Sequence, residues 1–200
     1  MQSVEDKNFE RTAYHESGHI VVTYFTGYTC DSVELLTSEP GTGKTTMNYQ
    51  DDLILIASIT NAKTNPDIFN ALSREVKQGS LGVAHRITSI LLAGSAAEST
   101  YLNGGKVNGN MEVEISGPDL VRVENVHYFL SQINQNHDPN YIQDNLHQIM
   151  MIMSIPDIWK AVECLSMELI KNKNKRLKKT EIENILTTSG YFDYIKTVQN

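Results

Sequence analysis

The sequence contains only two cysteines, Cys30 and Cys164, and they stand far apart. A secreted disulfide framework uses more cysteines than this, and the spacing is not typical of a metal site. We therefore expect two reduced thiols in a cytoplasmic protein. The first ten residues are polar and charged, so we expect no signal peptide.

Long apolar runs and a surplus of positive charge are also absent. The most apolar stretches, Leu53–Ile59 and Ile87–Ala97, are shorter than the roughly 20 residues that a membrane-spanning helix needs. The formal net charge of -7 argues against a nucleic-acid partner, because nucleic-acid binders usually carry a basic surface. The chain has 200 residues, and 40% of them are hydrophobic. This is enough to form the buried core of a single domain spanning residues 1–200.

In most segments of the sequence, apolar residues recur with the period of a helix, which predicts a mainly α fold class. A capping box of Thr180 and Glu183 predicts the start of a last short helix. The segment Asn103–Gly117 contains four of the twelve glycines and is predicted to be a loop. The other predicted helices are Phe9–Thr26, Leu53–Ala62, Asp67–Lys77, Leu81–Leu102, Pro118–Ile133, Tyr141–Met153 and Pro156–Lys171.

One small β-hairpin interrupts the helical pattern. Its predicted strands are Asp31–Thr37 and Lys44–Tyr49, joined by a Pro/Gly turn at Glu39–Gly43. Part of this segment resembles a phosphate-binding loop, but the first glycine of that motif would fall on Ser38. Strand-like sequence follows, where such a loop would open a helix. We therefore predict a hairpin and no nucleotide-binding site.

The first predicted helix carries the pattern H-E-x-x-H from His15 to His19. Residues four apart lie on the same face of a helix, so both imidazoles can bind one zinc ion at about 2.0–2.1 Å. Glu16 lies beside the open coordination position, where it can take a proton from a bound water during hydrolysis. The motif predicts a zinc site on His15 and His19 with Glu16 as general base.

A catalytic zinc usually has three protein ligands and one open position. The residues alone do not decide which side chain is the third ligand. Glu98, Asp119, Glu124 and the remaining histidines all stay open.

Several segments resemble the peptidase domain of FtsH, a family of membrane-anchored, ATP-dependent zinc proteases. Thr12–His19 resembles the family signature T-A-x-H-E-A-G-H, and Ile87–Glu98 resembles its L-L-G-G-R-A-A-E-E helix. Ser116–Leu120 is similar to the T-G-A-x-N-D-L segment, although it is shorter by two residues. Leu165–Leu186 resembles the closing two helices, and the order of all four segments matches.

The resemblance implies a helical zinc-peptidase domain and assigns the open positions. The third zinc ligand of the family falls on Asp119. Glu98 falls on a glutamate that we interpret as orienting a ligand histidine, with a role as third ligand as the alternative. Three substitutions depart from the family pattern: Ser17 for alanine, Pro118 for asparagine and Ser99 for the second glutamate. We expect neither the ATPase module nor the membrane anchor of the family in this chain.

These observations predict a zinc-dependent metalloendopeptidase that hydrolyses peptide bonds in unfolded or flexible protein segments. Zn²⁺ is the only cofactor expected. The alternative is a catalytically silent, zinc-holding domain that acts as a protein-binding adaptor. The expected partners are a polypeptide substrate, a separate ATP-driven unfoldase and, because the family forms hexamers, further copies of this chain.

Overall fold

A computed structural model describes residues 4–36, 38–39, 41–108, 111–134, 137–173 and 175–198. These residues form three strands, β1 Thr29–Leu35, β2 Gly43–Asn48 and β3 Leu177–Lys178. The helices are α1 Val4–Phe25, α2 Leu53–Ile59, α3 Pro66–Ala71, α4 Arg74–Gly79, α5 Leu81–Leu102, α6 Gly117–Ile133, α7 Tyr141–Met153, α8 Pro156–Lys171, α9 Lys179–Ser189 and α10 Tyr191–Val198. The prediction of a mainly α fold with one small sheet is confirmed. Within the described ranges, no helix is both long and apolar enough to cross a membrane.

Helices α1, α5 and α8 build the centre of the fold. Helix α1 packs against both α5 and α8, and α5 packs in turn against α6 and α7. The crossing of α1 and α5 is unusually close at Gly18, where a Cβ atom would lie 2.3 Å from the carbonyl oxygen of Ala93 and 2.6 Å from Cβ of Ala97. Only glycine allows the two backbones to approach this closely. The buried apolar side chains on these helices join one hydrophobic cluster, which includes Ile20, Ile87, Ile90, Leu92 and Leu165.

The hairpin is present, and a third strand that we did not predict extends it into a sheet. The strand order is β2-β1-β3, with both pairs antiparallel. In the register, Val33 faces Thr45 on one side and Leu177 on the other. Strand β2 therefore lies at an edge of the sheet. Thr37 and Pro40 of the predicted hairpin lie outside the described residues.

Several predicted boundaries differ from those of the structure. The predicted helix Asp67–Lys77 is two helices, because Leu72 is extended and Ser73 caps α4 by accepting a hydrogen bond from the backbone N–H of Val76. The first helix begins at Val4 and not at Phe9. The predicted loop Asn103–Gly117 ends one residue early, since Gly117 opens α6. Gly109 and Asn110 of that loop lie outside the described residues.

The predicted capping box of Thr180 and Glu183 is also wrong. Lys178 occupies the N-cap of α9, and its backbone N–H donates to the Glu181 carboxylate at 2.9 Å. Lys178 is held in β3 by pairing with β1, so the helix can start only after it. A further helix follows the predicted last one, since α9 ends at Ser189, Gly190 caps it with a φ of 87°, and α10 begins at Tyr191.

Candidate metal centre

The two histidines of the H-E-x-x-H pattern and Asp119 converge on one point. His15 and His19 lie one turn apart on α1, and Asp119 lies in the first turn of α6. The Nε2 atoms of the histidines are 3.0 Å apart. Asp119 Oδ2 lies 3.2 Å from His15 Nε2 and 3.1 Å from His19 Nε2. These three donor atoms form a group that could hold a metal ion.

The far nitrogen of each imidazole is held by an acceptor. His19 Nδ1 donates to the backbone carbonyl of Ile90 at 2.7 Å. His15 Nδ1 lies 3.3 Å from Oε2 of Glu98. A ring whose Nδ1 carries the proton directs the lone pair of its Nε2 outward. Both lone pairs therefore face the Asp119 carboxylate, an arrangement that is stable only with a cation or a proton between the three atoms.

The spacing of the three atoms fits zinc. Ligand atoms at about 2.0–2.1 Å from a tetrahedral zinc lie about 3.3 Å from one another. The observed separations of 3.0 to 3.2 Å are within a few tenths of an ångström of that value. Two imidazoles and one carboxylate are also a usual ligand set for a catalytic zinc, with the fourth position left to water or substrate.

A glycine on α5 makes room for this cluster. A Cβ atom at Gly94 would lie 2.5 Å from Nε2 of His19 and 2.6 Å from Nε2 of His15. Both imidazole nitrogens would have to move to admit even a methyl group. The absence of a side chain at Gly94 is thus a requirement of the donor arrangement.

Glu98 lies beside His15 and outside the three-atom cluster. Its Oε2 faces His15 Nδ1, and its Oε1 accepts from Nε of Arg11 at 2.8 Å. Nη2 of Arg11 lies 2.6 Å from the same Oε1. Two guanidinium nitrogens therefore hold this one carboxylate oxygen. In this position Glu98 fixes the orientation of the His15 ring.

Glu16 is buried beneath the edge strand. Its side chain is 7% exposed, and the hydroxyl of Thr45 on β2 donates a short hydrogen bond to Glu16 Oε2. A Cβ atom at Gly43 would lie 2.5 Å from Cγ and 2.6 Å from Oε1 of Glu16. Strand β2 therefore packs directly on this carboxylate and restricts its position.

The charges of the cluster are strongly coupled. Burial acts to lower the pKa of His15, but hydrogen bonds to Asp119 and Glu98 outweigh it and raise the pKa to about 9. Burial acts to raise the pKa of Asp119, but hydrogen bonds from His15 and His19 hold it well below its usual range. Asp119 is thus ionised at neutral pH, and without a metal the site retains a proton on His15.

A cleft of about 1200 Å³ lies over the cluster. Besides the donor residues, it is lined by β2, by α2 and, at the start of α6, by residues 116–119, 121 and 122. Strand β2 borders it along Gly43–Met47, beside Glu16. An extended chain segment could therefore enter the cleft alongside the edge of the sheet.

The remaining candidates for the third ligand lie elsewhere. Glu124 pairs with Lys63 at 3.2 Å. The imidazoles of His127 and His137 contact each other, with Nδ1 and Nε2 3.1 Å apart. His85 Nδ1 lies 2.9 Å from the hydroxyl of Tyr141, and the rings of His127 and His137 contact the Tyr141 ring. These three histidines belong to a separate polar cluster between α5, α6 and α7.

Sequence reasoning missed the supporting groups of the site. Thr45, Gly43 and Gly94 carry no motif of their own, and the acceptor for His19 is the backbone of Ile90. Gly94 does lie in the segment that resembles the FtsH helix, which has glycine there, so that resemblance was the available signal. For Thr45 the sequence offers no signal. No protein-family model matches the chain, and a comparison with curated proteins finds no match either.

Proposed function

We propose that this protein is a zinc-dependent metallopeptidase that hydrolyses peptide bonds in unfolded or flexible protein segments. The observation that carries the proposal is the convergence of two oriented imidazole nitrogens and one carboxylate oxygen within 3.2 Å of one another. The neighbouring glutamate of the H-E-x-x-H pattern adds the general base that a peptidase requires. The resemblance of four segments to the FtsH peptidase domain points to the same chemistry.

Each residue of the site has a defined task in this proposal. His15, His19 and Asp119 would hold the zinc, which as a Lewis acid lowers the pKa of water and polarises a carbonyl group. Glu16 accepts a proton from the attacking water and delivers it to the leaving amine. The hydroxyl of Thr45 and the backbone of Gly43 keep the Glu16 carboxylate in place. Glu98 and Arg11 keep the His15 ring in place.

The edge strand suggests how a polypeptide would bind. A peptide can add a strand to an exposed sheet edge through backbone hydrogen bonds, which are independent of sequence. One edge of β2 pairs with β1 and the other has no strand partner within the described residues. This mode requires an extended substrate, so folded proteins would need a separate ATP-driven unfoldase. Cys30 and Cys164 are free thiols, in keeping with the cytoplasm as the proposed location.

Metal analysis and proteolysis of the same preparation test the proposal. The purified protein should contain one zinc per chain and degrade casein, and a chelator should abolish the degradation. Glu16→Gln keeps the size of the side chain but removes the base. This variant should retain its zinc, while its hydrolysis rate falls by about two to four orders of magnitude.

The outcomes separate the alternatives. Stoichiometric zinc without hydrolysis of any flexible substrate would favour the zinc-holding adaptor. Near-wild-type turnover by Glu16→Gln would show that another group is the base. Full zinc occupancy in both His15→Ala and His19→Ala would reject the site itself.

A further inference from the structure

Arg122 lies beside the candidate centre. It follows Asp119 by one turn on α6, so both side chains lie on the same side of that helix. Its side chain is exposed and lines the cleft. Within the described residues, no acidic group lies within ion-pair distance of its guanidinium.

Two other charged side chains of the cleft already have partners. Arg11 pairs with Glu98, and Glu16 accepts from Thr45. Lys44 on β2 also lines the cleft, but its neighbours Gly43 and Thr45 both face Glu16. Because successive side chains of a strand point to opposite faces, the Lys44 side chain projects away from Glu16. Arg122, one turn from Asp119 on α6, is therefore the exposed cation on the side of the donor cluster.

The cleft that Arg122 lines also has apolar side chains, among them Leu53, Ile56 and Val121. The charge of Arg122 also reaches Tyr49 at the end of β2, where it opposes the burial that raises the pKa of that phenol to about 12. The positive charge of Arg122 thus affects the part of the cleft that an added peptide strand would enter.

Resting on the proposed function, we propose that Arg122 selects polypeptide substrates that place a carboxylate close to the cleaved bond. A guanidinium presents N–H donors in a planar fork that matches the two oxygens of a carboxylate. The carboxylate has two sources in a polypeptide, the side chain of an aspartate or glutamate and the free C-terminus. Arg122 is a specificity determinant and takes no part in the chemical step.

Peptide binding to the zinc-loaded Glu16→Gln protein tests this without turnover. The probes are four labelled peptides of about ten residues that share one extended neutral sequence, measured by fluorescence anisotropy. One has glutamate near its middle and a C-terminal amide, one has glutamine and a free C-terminus, one has both carboxylates and one has neither. We expect a peptide with the recognised carboxylate to bind about three- to tenfold more tightly than the neutral peptide. The first two peptides show which source is recognised.

Variants of Arg122 in the same background assign the effect. Arg122→Ala should bind all four peptides with similar affinity, and Arg122→Glu should reverse the order. Arg122→Lys should keep part of the preference, since it retains the charge and loses the fork. Arg74→Ala is the matched control, because Arg74 is an exposed arginine on α4 outside the cleft. It should keep the full preference.

Three results would overturn the inference. If the Glu16→Gln protein binds the neutral peptide as tightly as those with a carboxylate, or if the preference survives in Arg122→Ala, this inference fails while the peptidase function stands. If the Glu16→Gln protein binds none of the four peptides and the zinc-loaded wild type hydrolyses none of them, the proposed function fails together with the inference.

Discussion

Gly94 and His19 face each other across the α1–α5 crossing with no room for a side chain between them. A Cβ atom at Gly94 would lie 2.5 Å from Nε2 of His19, which is well inside van der Waals contact. His19 cannot rotate away freely, because its Nδ1 is bound to the carbonyl of Ile90. The side of the donor cluster that faces α5 is therefore shaped by the α5 backbone.

Gly94→Ala should consequently remove zinc without unfolding the protein. Alanine in a helix interior is favoured over glycine by about 1 kcal/mol, which offsets part of the strain. The displaced imidazoles should lower zinc affinity by about tenfold or more. Gly82→Ala is the control on the same helix, because a Cβ atom there meets nothing within 4 Å. Chelator competition and thermal unfolding of both variants measure the effect, and normal zinc affinity in Gly94→Ala would contradict it.

The two carboxylates near His15 should differ in their effect on metal affinity. Asp119 Oδ2 belongs to the donor cluster, while Glu98 contacts the far nitrogen of His15. Glu98→Ala should cost about 10–100-fold in zinc affinity, the usual effect of losing a group that orients a ligand. Asp119→Ala should cost more, because a ligand itself is lost. Zinc titration against a competing chelator gives the ranking, and the reverse order would identify Glu98 as the ligand.

Zinc binding should release about one proton from His15 at pH 7.5. The pKa of His15 is raised to about 9 in the metal-free protein, so the ring is protonated at that pH, whereas a zinc ligand must be neutral. Affinity should therefore rise with pH by about tenfold per unit until the pH passes about 9. Calorimetric titration in buffers of different ionisation enthalpy counts the protons. Equal proton release at pH 7.5 and pH 10 would be inconsistent with this assignment.

Ser17→Ala should stabilise the protein. The hydroxyl of Ser17 is buried and has no hydrogen-bond partner within the described residues. Such an orphan group costs about 1–3 kcal/mol, and alanine, which the FtsH signature has at this position, removes it. Ser166→Ala is the control, because the buried hydroxyl of Ser166 donates to Val162 at 2.8 Å. Urea unfolding should show a gain for Ser17→Ala of about 1 kcal/mol and no gain for Ser166→Ala.

The helices that the sequence predicted best are those with unbroken apolar periods. Leu81–Leu102, Tyr141–Met153 and Pro156–Lys171 have the predicted ends, since their periodicity and the proline at the start of the third are local signals. Strand β3 was missed because two residues carry no pattern, and Leu177 is extended only through its pairing with Val33. Tertiary pairing of this kind also moved the start of α9 and made the predicted capping box wrong.

The candidate site likewise contains some residues that a local pattern predicts and others that only the fold brings together. The spacing of His15 and His19 is a local property of one helix and could be read directly. Asp119 came only from the resemblance, because the residues themselves left several carboxylates open. Thr45 contacts Glu16, and the backbone of Ile90 contacts His19, because segments that are distant in the sequence pack together. No local pattern records such contacts.

The donor atoms of the centre come from parts of the chain that are far apart. His15 and Asp119 are separated by 104 residues, and His19 and the Ile90 carbonyl by 71. Bringing such segments together requires closure of long loops, which occurs only when most of the tertiary structure has formed. A zinc ion at this centre would therefore not nucleate folding, unlike in short zinc modules whose ligands are neighbours in sequence. The metal would instead bind to a chain that has already folded. Its binding would show that α1, α5 and α6 have packed together.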